Sequence, residues 1–205
     1  MRAFIALELP ATVQAALAGL QRELAGAKAD VKWVREEQLH VTLRFLGEIT
    51  EPQRQTVEGL LREAAGRHER FQAGLSRIGA FPTTSAPRVI WAGIEAGRVE
   101  MERLARDVEE GLSRQGFPAE DRPFVAHVTL GRVRSSKNLP QLATTLKQAS
   151  WTPPPAFPVD HITLFQSALS SAGPTYTPLA KIPLAFRIQA PTGAANPTPP
   201  ARPDA

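Results

Sequence analysis

HVTLRFLG, residues 40–47, and HVTLGRV, residues 127–133, open with the same four letters. The chain has four histidines, and two of them head these copies, 87 positions apart. Both phrases alternate polar and apolar residues, so both read as strands. Alternate side chains on a strand take opposite faces. His40, Thr42 and Arg44 are therefore predicted on one face, with Val41, Leu43 and Phe45 on the other. The apolar face seeks a core, leaving imidazole and hydroxyl for whatever lies opposite. The separation is nearly half the folded length, which fits two similar halves rather than a tandem solenoid.

The flanking sequence repeats the same rhythm. Residues 2–8, RAFIALE, read as a strand, and Pro10 opens a helix whose Val13, Leu17, Leu20 and Leu24 recur at helical spacing up to Gly26. VKWV and LHVTLRFLG follow as strands, separated by REEQ. Pro52 starts a second helix with Val57, Leu60 and Leu61 inward, and RFQAGLSRIGAFP and PRVIWAGIE are two β-like runs joined by TTSA. The second half has a helix from Arg98 to Gln115, the strand FVAHVTLGRV, a helix in NLPQLATTLKQA, and the strands FPVDHITLFQS and YTPLAKIPLAF with SSAGPT as a turn. This pattern predicts an α+β fold: two pseudo-two-fold related lobes, antiparallel sheets lining a central groove, and helices on the outer faces. Residues 1–189 are expected to form one domain, and the Pro/Ala-rich stretch 190–205 a disordered tail.

Composition narrows the chemistry. With 205 residues and 42% hydrophobic content, the chain can bury a core. It has no cysteine, which excludes disulfides, thiol nucleophiles and thiolate metal sites and leaves oxygen and imidazole chemistry. The formal charge of +4 permits an anionic partner. MRAFIALELP is too short an apolar run to span a membrane and lacks the marks of a secretory signal, so a cytoplasmic protein is expected.

Two imidazoles with ordinary pKa near 6.5 divide acid and base roles at about neutral pH. Phosphodiester cleavage needs both: the attacking oxygen loses a proton and the leaving oxygen gains one. Two threonine hydroxyls, stiff at χ1, are suited to hold the non-bridging oxygens as their charge grows. Each proton transfer is typically worth about 10²- to 10⁴-fold, so this chemistry requires no metal or other cofactor.

The paired phrases resemble the His-x-Thr-x motifs of the 2H phosphoesterase superfamily, and specifically its bacterial and archaeal RNA 2',3'-cyclic phosphodiesterases, also named 2'-5' RNA ligases. RAFIALELP, VKWV, FPTTSAPRVIWAGI, FVAHVTLGR and ITLFQSALSSAGPTY are similar to that family in the same order, over roughly residues 2–186. The resemblance implies a bilobal fold and metal-independent hydrolysis of an RNA 2',3'-cyclic phosphate to a 2'-phosphate, with 2'-5' ligation of tRNA halves as a second activity. It implies a catalytic set of His40, Thr42, His127 and Thr129, with His127 as base and His40 as acid, in a protein expected to act as a monomer.

Arg132, Arg44 and Arg122 are candidates for phosphate or RNA contact. Alternation puts Arg44 on the pocket face, whereas Arg132 falls on the opposite parity unless the strand bulges at Gly131. HITLF at His161 is a third, looser copy, read as groove wall or structural pair; a His40/His127/His161 zinc site would leave the threonines without purpose. His68, among charges at a helix end, reads as solvated; Phe45, Trp33 and Trp91 read as packing. Two rival functions remain: a phosphodiesterase for small nucleotides such as ADP-ribose cyclic phosphate, and a non-catalytic RNA-binding module.

Overall fold

A computed structural model describes residues 1–171 and 173–186; the stretch expected to form a tail, 190–205, lies outside the described residues. In chain order the elements are β1 (Arg2–Glu8), α1 (Ala11–Ala25), β2 (Val31–Trp33), a 3₁₀ turn (Glu36–Gln38), β3 (His40–Glu48), α2 (Glu51–Arg67), β4 (Phe71–Ala73), β5 (Leu75–Thr83), β6 (Ala86–Ile94), α3 (Arg98–Arg114), β7 (His127–Val133), α4 (Leu139–Gln148), β8 (Phe157–Val159), β9 (His161–Ser170) and β10 (Gly173–Pro183). Local chemistry sets several ends. Thr50 and Gln53 form a reciprocal capping box ahead of Pro52 at the start of α2. Gly97, with φ of 75°, and Gly116, with φ of 79°, stand on either side of α3, where left-handed backbone favours glycine.

The strands run in the order β10-β9-β1-β3-β7-β6-β5, all antiparallel, with β2 paired to β7; β4 and β8 form a separate two-stranded sheet. Two four-stranded arms thus meet between β3 and β7, where one backbone pair, Val41 with Val128, joins them. The arms are not the two halves of the sequence. β9 and β10 return from the C-terminal part to flank β1, and β2 leaves the N-terminal part to flank β7. Helices α2 and α3 pack on the arm of β3, β9 and β10, while α4 lies on β6 and touches α1. Buried Ile5, Leu7, Leu17, Leu24, Leu61, Ile90, Met101, Leu104, Leu112, Leu130 and Leu142 belong to one continuous core. Burial of each such side chain contributes about 1.5 to 3 kcal/mol relative to exposure.

Two β-bulges decide which residues reach the face that carries His40 and His127, the groove face of the expected fold. Along unbroken β1, Phe4, Ala6 and Glu8 share a face and pair with Phe45, Thr42 and His40, while Ile5 on the other face pairs with Arg44. Leu43 is therefore an extra residue, and parity reverses beyond it. The same happens in the second arm. Trp91 pairs with Thr129 but Ile90 with Gly131, so Leu130 is extra, and Val89 meets Arg132 on the face of His127. Phe45 and Arg132 occupy equivalent groove positions in the two arms; Arg44 and Gly131 occupy equivalent positions behind them.

Candidate active site

His40 and His127 each begin a strand, and both phrases show the same alternation of half-buried and buried residues over their first four positions. The Val41–Val128 pair sits between the members of each couple. Antiparallel pairing there sets His40 beside Thr129 and Thr42 beside His127. All four polar groups are gathered on one face at the joint between the arms.

Backbone carbonyls fix both rings in the same way. His40 Nδ1 donates to the Gln38 carbonyl at 2.7 Å and His127 Nδ1 donates to the Val125 carbonyl at 2.6 Å, each two residues upstream. A carbonyl only accepts, so the proton of each neutral ring resides on Nδ1 and the Nε2 lone pair is left for chemistry. The Thr42 hydroxyl donates to His40 Nε2 at 2.9 Å. Burial pushes both imidazoles below their ordinary pKa, opposed by the carbonyl bonds. The positive charge of protonated His127 pushes His40 further down, and that of Arg132 does the same to His127.

Aromatic rings wall both imidazoles, and these are residues sequence reasoning missed. The Phe4 ring lies 5.0 Å from His40 and Tyr176, the only tyrosine of the chain, meets it edge-on at 5.6 Å. Phe81 meets His127 edge-on at 5.4 Å and lies 5.2 Å from Trp91. Phe4 and Tyr176 come from strands whose long-range pairing no local pattern announces. The register does place them once β1, β9 and β10 are known to be neighbours.

The other sequence candidates separate clearly. The bulge carries Arg132 onto the groove face, where it makes no hydrogen bond or ion pair among the described residues. Arg44 is the reverse, a correction to simple alternation: the bulge turns it toward α3, its side chain is 11% exposed, and Glu109 at 2.6 Å and Glu120 at 2.9 Å hold its guanidinium. It also donates to the Phe45 and Pro118 carbonyls, so its donors are committed to structure. Phe45, expected in the core, is 52% exposed on the groove face, 6.0 Å from Phe4. Arg122 is exposed in the segment before β7, with nothing joining it to the histidines among the described residues. His68 is not solvated but half-buried, with Nε2 2.9 Å from Asp107. His161 pairs through Nδ1 with Asp160 and lies 3.4 Å from Glu8, which also accepts from fully buried Thr163 at 2.6 Å and faces Lys181 at 3.0 Å. This third copy is tied into a polar cluster around Glu8, the strand partner of His40. Among the described residues no three His, Asp or Glu side chains converge as metal ligands.

A substitution separates Arg44 from Arg132 in role. Arg44→Ala strands Glu109 and Glu120 and is expected to cost about 1 to 3 kcal/mol of stability. Thermal unfolding should show a lowered Tm while KM for a phosphodiester substrate stays put; a raised KM at unchanged Tm would return Arg44 to the groove.

The family described as LigT like Phosphoesterase matches the chain over residues 7–91 and 94–176, and each segment holds one His-x-Thr phrase at the same distance from its start. The RNA 2',3'-cyclic phosphodiesterase of Aeropyrum pernix is 37% identical over 166 residues, covering 81% of this chain and 93% of that protein. The protein of the same name from Archaeoglobus fulgidus is 37% identical over 180 residues, covering 87% and 98%. Among solved structures, TT0787 of Thermus thermophilus superposes with a TM-score of 0.75 at 32% identity over 91% of this chain and 99% of its own. E. coli LigT complexed with 3'-AMP gives 0.71 at 26% identity over 89% and 97%.

Proposed function

We propose that this chain, which belongs to the LigT-like phosphoesterase family, hydrolyses RNA 2',3'-cyclic phosphate ends to 2'-phosphates by paired-histidine acid and base catalysis. One observation carries the reading: two imidazoles, each pinned through Nδ1 by the carbonyl two residues before it, meet with their threonines at one joint between the arms. His127 Nε2 takes a proton from water as its oxygen attacks phosphorus. The bond from phosphorus to the ribose 3'-oxygen breaks, and His40 Nε2 supplies the proton that oxygen gains. This polarity is carried over from the family resemblance; Arg132 favours the neutral form of His127, and a protonated His127 does the same for His40. The hydroxyls of Thr42 and Thr129 and the Arg132 guanidinium hold the non-bridging oxygens. An RNA 5'-hydroxyl in place of water, for example on a tRNA half, would give a 2'-5' bond by the same proton transfers. All of these groups come from one chain, so a monomer is expected to be active, and no helix among the described residues is long and apolar enough to cross a membrane.

The test is incubation in EDTA with a short RNA bearing a 2',3'-cyclic phosphate. Conversion to the 2'-phosphomonoester is expected, and its absence ends the proposal. Adding RNA with a 5'-hydroxyl and assaying for joined product tests ligation.

The pH profile follows from the directions of the two pKa shifts. Catalysis needs one imidazole neutral and the other charged, a state most populated between the pair's two apparent values. Both histidines lie below their ordinary value, so kcat/KM, which reports the free enzyme, is expected to peak below about pH 6.5. A bound phosphate anion favours both charged forms, so the optimum of kcat should lie at higher pH than that of kcat/KM. Coincident optima above pH 7 would contradict the assignment.

A further inference from the structure

Beyond the four catalytic groups and Arg132, the groove has a second basic feature that the reaction does not use. Burial pushes the Tyr176 hydroxyl above its ordinary pKa, and the charges of Arg132, Arg2 and Arg35, from three separate elements, act on it in the opposite sense. Geometry places each of them independently. Arg2 lies on the groove face of β1 by the alternation that puts Phe4 there, and Phe4 touches Tyr176 with ring centroids 4.9 Å apart. Arg35 leaves the turn between β2 and β3 and donates to the Pro174 carbonyl at 2.7 Å, two residues from Tyr176. Gln38 donates to the same carbonyl at 2.6 Å, fixing the β9–β10 hairpin against the segment that leads into His40. Arg132 reaches the groove through its bulge. Glu37 takes the Arg35 Nε at 3.2 Å, and Glu48, the strand partner of Arg2, is engaged by the N-terminal ammonium at 3.2 Å. Positive charge is in excess around one phenol that edges His40.

From this convergence we infer that Arg2, Arg35 and the Tyr176 hydroxyl form an anion subsite, adjoining Arg132, for the phosphodiester one nucleotide upstream of the reacting end. The inference rests on the RNA-end reading above and deepens it. A mononucleotide cyclic phosphate has no such group; an oligonucleotide always has one. The subsite therefore makes the enzyme prefer RNA ends to free cyclic nucleotides. Guanidinium forks match phosphate oxygens, and the hydroxyl adds a neutral donor.

The experiment compares a trinucleotide and a mononucleoside, both ending in 2',3'-cyclic phosphate, on wild type, Arg2→Gln, Arg35→Gln and Arg35→Lys. Each Gln variant is expected to lower kcat/KM for the trinucleotide by about three- to tenfold and leave the mononucleoside unchanged. Arg35→Lys, which keeps the charge, should recover part of the loss on the trinucleotide; a hairpin that merely needed its Pro174 bond would lose activity on both substrates alike. The matching 2'-phosphate products, assayed by fluorescence anisotropy, report binding without turnover. Trinucleotide affinity should fall more steeply with salt than mononucleoside affinity, by a slope of about 0.7 for the one upstream phosphate that the subsite engages, and the Gln variants should flatten that difference. Equal losses on both substrates, an unchanged ratio, or equal salt slopes overturn the subsite. A wild type inactive on both substrates brings down the functional reading, while the binding measurement still decides the subsite.

Discussion

His127→Ala is expected to lower kcat on an RNA ending in a 2',3'-cyclic phosphate by about 10²- to 10⁴-fold, the usual contribution of a positioned proton donor or acceptor. His40→Ala should cost a similar factor. In the proposed reaction the two act on opposite sides of one phosphorus, so the double variant should lose far less than the product of the single losses. Both rings are half-buried and bonded by one nitrogen to a carbonyl. Substitution by Gln keeps a donor near that carbonyl and should leave Tm close to wild type, separating lost chemistry from lost folding. Loss of the pH dependence distinguishes the roles further. Without the base, the acid limb of the rate should vanish; without the acid, the alkaline limb should. Single variants that retain most of the wild-type rate would remove both histidines from the reaction.

The repeated phrase made the joint between the arms legible from sequence, because a period-two pattern with a buried face specifies its own register. The helices were legible for a similar reason: capping residues and apolar spacing agree at Thr50, Pro52 and the inward residues of α3. The bulges were less so. Leu43 and Leu130 look like ordinary inward residues, and an extra residue in a strand leaves no mark on apolar periodicity. One partial signal exists at Gly131. A Cβ there would meet Val31 Cγ1 at 2.7 Å and Trp33 at 2.8 Å, because β2 crosses closely at this point. Glycine marks that approach, and it is where a bulge could be suspected; nothing comparable stands at Leu43. Arg44 and Phe45 were accordingly placed on the wrong faces. The interleaving of the arms was not legible either, since Phe4, Phe165 and Tyr176 assemble beside His40 only through pairing between the two ends of the chain. Trp91, which reads as packing, does pack, so tightly over Gly79 that a Cβ there would come within 2.2 Å of its ring.

Arg132→Ala is the second large expected effect. In the proposed reaction Arg132 is a charged donor to oxygens whose charge grows, so its removal should cost about 10²- to 10³-fold in kcat. Arg132→Lys should recover only part of this, because an ammonium restores charge without the planar fork. The pH profile gives a second, independent readout with a definite sign. Arg132 is among the groups holding His127 below its ordinary pKa, after burial. Removing it lets His127 keep its proton to higher pH, so the acid limb of kcat/KM should move upward in Arg132→Ala and stay near its original position in Arg132→Lys. A guanidinium that only contacted distal RNA would raise KM without moving that limb. The same reasoning explains why the two arms differ at equivalent positions. An arginine beyond the bulge in β7 places a cation beside His127, whereas Phe45 beyond the bulge in β3 leaves His40 among aromatic rings. Exchanging the two, Phe45→Arg with Arg132→Phe, should add a guanidinium's charge to the burial and the protonated His127 that already disfavour charged His40, and lower kcat as severely as the single loss, because the histidine assigned as acid would be held still further from its charged form.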